Sequence, residues 1–195
     1  MNKTRLEAFS DGVFAIIITI MVLELKVPHT ADWSALQELL PAFLSYVMSF
    51  IYVGIYWGNH HHMVHTVKKI TPGIIWGNMS LLFVLSLIPF ATGWMGENHF
   101  AANTLIVYCI LLLMAGVTYT ILQLAIEKSH PFTDEMKKAF GKMRAKGIVS
   151  VVSYSLAILL ACAMPVISAV LIVGVAVMWL VPDRSIEKAL KAEHQ

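Results

Sequence analysis

Residues 5–26 read RLEAFSDGVFAIIITIMVLELK, and the run from Ala8 to Leu25 is almost entirely apolar. At about 1.5 Å per residue, a helix of this length crosses a bilayer core about 30 Å thick. It nevertheless carries Arg5, Ser10 and Asp11 near its start and Glu24 near its end. Ionisable groups at membrane depth are costly and face a bundle interior, a partner charge or water, so a simple lipid anchor has no use for them. Lys3 and Arg5 imitate the basic start of a cleaved signal. The apolar run is too long for one, contains Asp11 and lacks a following A-x-A site, so a retained helix is expected.

A helical wheel divides this segment. With Ile16 at zero and about 100° per residue, Leu23 lies near about −20°, Ile20 near about +40° and Thr19 near about −60°, with Asp11 about 140° away. One sector therefore holds three branched apolar side chains and one hydroxyl, and Asp11 points elsewhere. Ordinary helix packing and a pore lining both fit such a sector.

The rest of the 195 residues match this start. The chain is 58% hydrophobic and only 13% charged, with a mean hydropathy of +0.73. That composition specifies an all-α polytopic membrane protein, read here as one domain over residues 1–195. A net charge of +2 is too small to suggest a nucleic-acid partner. Cys109 and Cys162 fall in apolar runs and read as small buried hydrophobes.

Six membrane spans are expected, at about 7–26, 36–59, 74–94, 100–126, 147–162 and 166–181. Ser34 and Gln37 have the spacing of a capping box ahead of the second. Phe132, Met136, Phe140 and Met143 recur at helical spacing between the fourth and fifth. They predict a separate amphipathic helix on the inner leaflet, capped at Thr133-Asp134. Met164-Pro165 marks a tight turn between the last two spans.

Thirteen of the fourteen Lys and Arg residues, including Arg184, Lys188 and Lys191, fall on one side of this arrangement, against Lys26 alone on the other. The positive-inside rule then puts both termini in the cytoplasm and requires an even number of spans. Trp33, Trp57, Trp76, Trp94 and Trp179 all lie near predicted helix ends, where an indole suits the interface.

Chemistry-bearing patterns are few. Arg5 and Phe9 share a helical face, and Asp11 needs a hydrogen-bonding partner at its depth. Candidates on the second and third spans are Trp57, Asn59, His60, His61, His62, Trp76 and Asn78. A buried polar network that fixes helix register accounts for them. His61 and His65 have the spacing of two metal ligands, but two imidazoles without a carboxylate or thiolate are an incomplete zinc site, and no metal is expected. There is no G-x-S-x-G, H-E-x-x-H or P-loop, hence no sign of an enzyme. There is also no T-V-G-Y-G carbonyl filter.

The string R-x-x-x-F-S-D within RLEAFSDGVFAIIITIMVLEL resembles the signature of prokaryotic homologues of transmembrane protein 175, a family of endolysosomal potassium channels lacking a carbonyl filter. Animal members carry two six-helix repeats per chain. One repeat here implies a homotetramer in the prokaryotic plasma membrane, with the first helix of each subunit lining a central pore. The resemblance implies a hydrophobic constriction at Ile16, further apolar rings at Ile20 and Leu23, and a selectivity layer at Thr19. It implies a polar network of Arg5, Phe9, Ser10, Asp11, Trp57, His61, Trp76 and Asn78.

The implied function is a leaky, moderately selective potassium channel, with lipids and monovalent cations as its other partners and no cofactor beyond permeant potassium. Glu24 would then sit at the outer mouth and concentrate cations. A proton-coupled secondary transporter using Asp11 and the histidines, or a non-transporting scaffold, are the rival expectations.

Overall fold

Helix α1 (Lys3–Leu23) begins where the Asn2 side chain accepts a hydrogen bond from the Arg5 amide at 3.0 Å. It ends at Glu24, which caps it. The computed structural model describes residues 2–180, which form seven further helices: α2 (Trp33–Glu38), α3 (Leu40–His65), α4 (Pro72–Leu85), α5 (Ile88–Glu97), α6 (Ala102–Ser129), α7 (Asp134–Leu160) and α8 (Pro165–Leu180). Proline stands in the first turn of α3, α4, α5 and α8, where its fixed φ suits a helix start and its missing donor costs nothing. Thr71 and Thr133 cap α4 and α7 through the amides of Ile74 and Met136.

Among the described residues five stretches are long and apolar enough to cross a membrane: α1, α3, the α4–α5 pair, α6 and α7. The sixth expected span corresponds to α8, a shorter apolar helix. Val181, its expected end, and Arg184, Lys188 and Lys191, which entered the charge count, lie outside the described residues.

Four expectations are corrected. The second span does not open at a Ser34 cap: Ser34 lies inside the short α2, and α3 continues through the histidine run to His65. The third span breaks at Ser86-Leu87. Pro89 has no amide hydrogen, and its ring collides with the carbonyl four residues back, which belongs to Leu85, the last residue of α4. The fourth span runs on to Ser129. The amphipathic surface helix and the fifth span are one 27-residue helix, α7. Its apolar stripe faces protein, not lipid: Met136, Phe140 and Met143 are buried beside α6, where Tyr119 Oη meets Met143 Sδ at 3.3 Å.

Helix α1 packs on α3, α4 and α5; α4 packs on α6; and α7 lies between α6 and α8. Leu6, Ser10, Phe14, Ile17 and Met21 form the buried stripe of α1. Two helix pairs approach closely enough to require glycine. A Cβ on Gly96 of α5 would stand 2.6 Å from the Ala42 Cα of α3, and one on Gly77 of α4 would stand 3.1 Å from the Leu122 Cα of α6. Without a hydrophobic drive between helices in lipid, such small-residue contacts supply much of the association.

Replacing Gly96 by Ala forces α3 and α5 apart and is expected to cost about 1–3 kcal/mol. Gly141→Ala, at an exposed α7 position where an added Cβ meets nothing, should instead stabilise by about 0.5–1 kcal/mol. Thermal midpoints of the purified protein in detergent should therefore move in opposite directions.

Candidate functional site

The polar groups on α1 divide between two partners. Ser10 Oγ donates to the Leu6 carbonyl at 2.8 Å and accepts from Asn78 Nδ2 at 3.0 Å. Asn78 Oδ1 lies 2.6 Å from His60 Nε2. With the Asn78 amide set by Ser10, His60 is the donor in that contact. All three side chains are buried, so one asparagine on α4 joins α1 to α3. The Phe14 ring packs on the His60 imidazole at 5.5 Å. Asp11 lies outside this triad, and its Oδ1 accepts from Trp57 Nε1 at 2.9 Å on the surface of the chain.

The expected network is corrected in its membership. His60, not His61, meets Asn78. His61 is exposed, with its ring 6.3 Å from Trp57 and 6.2 Å from His65. Trp76 is 72% exposed and its indole joins no bond of the triad. Phe9 and Arg5 are also exposed within the subunit. The sequence contained a signal for His60: it continues the apolar stripe of Val53, Met63 and Val64, all buried, whereas its two neighbours fall off that stripe. Among the described residues no three His, Cys, Asp or Glu side chains converge as metal ligands do.

Both ends of α1 are tied down. Lys3 Nζ donates to the His65 carbonyl at 2.5 Å. At the opposite end, Lys26 is ion-paired with Glu97, a contact that raises the Lys26 pKa above its ordinary value. Glu24 is exposed, with its carboxylate close against Gly93, where a Cβ would lie 2.6 Å from Oε2.

Between these ties one face of α1 is largely uncovered by the rest of the chain. Ile16 is 57% exposed, Ile20 44% and Leu23 78%, and Thr19 is exposed beside them. The Thr19 hydroxyl donates to the Ile16 and Ala15 carbonyls at 2.9 and 3.1 Å. Its hydrogen is thus turned to its own helix, and its oxygen lone pairs remain for an external donor or cation.

Asn78→Leu should leave His60 Nε2 buried without a partner and Ser10 with only the Leu6 carbonyl of its own helix, lowering stability by about 1–3 kcal/mol. His61→Ala, at an exposed position, should stay within about 0.5 kcal/mol of wild type. Equal losses in the two variants would show that the triad is wrongly assigned.

A family model described as endosomal/lysosomal potassium channel TMEM175 matches residues 5–89. A protein named potassium channel from Chryseobacterium sp. is 51% identical over 191 residues, covering 98% of this chain and 99% of that one. The Gallus gallus endosomal/lysosomal proton channel TMEM175 is 31% identical over 75% of this chain, which spans only 33% of that relative's length. The crystal structure of a lysosomal potassium-selective channel TMEM175 homologue from Chamaesiphon minutus superposes with a TM-score of 0.81 at 26% identity, covering 94% of this chain and 97% of that one. With half its residues shared along the whole length of one relative, and the fold shared with another, the chain belongs to the TMEM175 family.

Proposed function

We propose that this chain forms a homotetrameric, moderately potassium-selective channel in which α1 of each subunit lines the pore. The observation that carries the reading is the face of α1 bearing Ile16, Thr19, Ile20 and Leu23, left bare within the subunit while both helix ends are tied down. The bacterial relative and the matching structure, both described as potassium channels, give that face its ion. Six crossings with both termini cytoplasmic follow from the charge distribution and from counting α8 as a short span.

Four Ile16 side chains around an axis form a dry constriction that resists a hydrated cation by dewetting. Widening it admits ions. Four Thr19 oxygens then replace part of the hydration shell, and potassium yields its shell more readily than sodium. Neutral hydroxyls are weak ligands, so the preference is modest and the channel leaks. Glu24 at the outer mouth raises the local cation concentration, an effect that salt screens.

Potassium and sodium flux from purified protein in liposomes tests this reading. Ile16→Asn should raise potassium flux, and Thr19→Ala should reduce the discrimination between the two ions. Glu24→Gln should lower conductance at low salt and leave it unchanged at high salt. A wild-type protein without flux, together with two inert α1 variants, would return that face to packing.

A further inference from the structure

Helices α6 and α7 run antiparallel and are held by Arg144 Nη2 donating to Glu127 Oε2 at 2.6 Å and Gln123 Nε2 donating to the Phe140 carbonyl at 3.0 Å. Beside these contacts the two helices line a groove of about 270 Å³. Its walls are Val117, Thr120 and Ile121 from α6 and Ile148, Val151 and Val152 from α7. Gly147 lies in its floor and Arg144 closes one end. Ile121, Ile148 and Val152 are each at least half exposed, and no described helix covers them. The groove lies on helices other than those that pack against α1.

The charged end has donors to spare. Arg144 makes its ion pair through Nη2, and 42% of the side chain is exposed, so the outer guanidinium donors remain accessible. Lys128, exposed, is seven residues on from Ile121 and so shares its face of α6. Glu127 is the opposing carboxylate, and it is already engaged by Arg144 and by Gln123.

An apolar trench with a cationic end matches an amphiphile with a hydrocarbon tail and an anionic head. We infer that this groove holds an acyl chain of an anionic phospholipid, with its phosphate on the Arg144 guanidinium. The guanidinium fork matches phosphate geometry. A choline headgroup, in contrast, sets its own cation among Lys128 and Arg144 and gains less. This site is separate from the proposed pore and does not depend on it.

Native mass spectrometry of the purified full-length protein in detergent tests the site. Phosphatidylglycerol and phosphatidylcholine with identical chains are added in turn. Wild type should retain phosphatidylglycerol in preference. Arg144→Gln should cut that retention about fivefold, the effect of one basic residue at an anionic surface. Glu127→Gln removes the competing carboxylate and should raise retention, an opposite change that misfolding does not produce. Gly147→Leu fills the floor and should reduce binding of both lipids. Equal retention of the two lipids by wild type, or unchanged retention in Arg144→Gln, overturns the proposal. So does a Gly147→Leu protein that alters subunit stoichiometry while keeping its lipid, because the groove is then a contact between copies of the chain.

Discussion

One side chain, Asn78, joins three helices. Its amide donates to Ser10 on α1 and accepts from His60 on α3, and the rest of the α1 geometry depends on that bridge. Lipid offers no hydrogen bonds, so a polar group at this depth is satisfied inside the protein or remains a heavy cost. The triad satisfies these groups at a single register. Sliding α1 by one residue would rotate Ser10 about 100° out of the stripe it shares with Leu6, Phe14, Ile17 and Met21. The buried stripe and the bare face are two sides of one helix. In fixing the first, the triad also fixes which residues stand on the second.

That coupling explains why α1 is both an informative sequence segment and a helix with a largely uncovered face. A lone apolar face in a bilayer needs no partner, since lipid covers Leu and Ile well. A threonine among three branched apolar residues is less at ease there, although its hydrogen bond to its own helix removes most of the cost. What lipid does not explain is the combination of that face with ionised or polar groups anchoring both helix ends. A helix that only had to span would be indifferent to its rotation. This one is held at a defined rotation by Ser10, Asp11 and Lys3 at one end and by Lys26 at the other.

The division of α1 into faces was legible from its 3.6-residue period alone, because its polar residues are few and widely spaced around the helix. Other features were masked by stronger local signals. The six basic residues of Lys128 to Lys146 suggested a segment held at the interface. Yet the buried positions Met136, Phe140, Met143, Ser150, Tyr154 and Ala157 form one stripe without a proline, and they mark a single helix. Pro89 was visible, but whether a proline kinks or ends a helix depends on what stabilises the freed carbonyls, which is tertiary information. Among three consecutive histidines, residue type carries no distinction, and only the phase of the neighbouring apolar residues selects His60. The exposure of Trp76 was not legible, because an aromatic at a helix end suits both an interface and a buried network.

The same anchoring constrains how the proposed constriction could widen. If α1 rotated within its subunit to swing Ile16 aside, Ser10 would leave Asn78, and Asp11 would leave Trp57. The first rupture leaves buried polar groups short of a partner and the second gives up a further hydrogen bond, so the cost rises with every bond. Motion that preserves these contacts is of two kinds. Ile16 can change rotamer on a fixed helix, or α1 can tilt together with α3, α4 and α5 as one body, carrying the triad intact. The close contact of Gly96 on Ala42 joins α5 to α3, so such a body would move as a unit. In the proposed channel, the bonds that set the rotation of α1 thereby oppose its turning within the bundle and leave the Ile16 rotamer or the tilt of the whole bundle as the ways to widen the constriction.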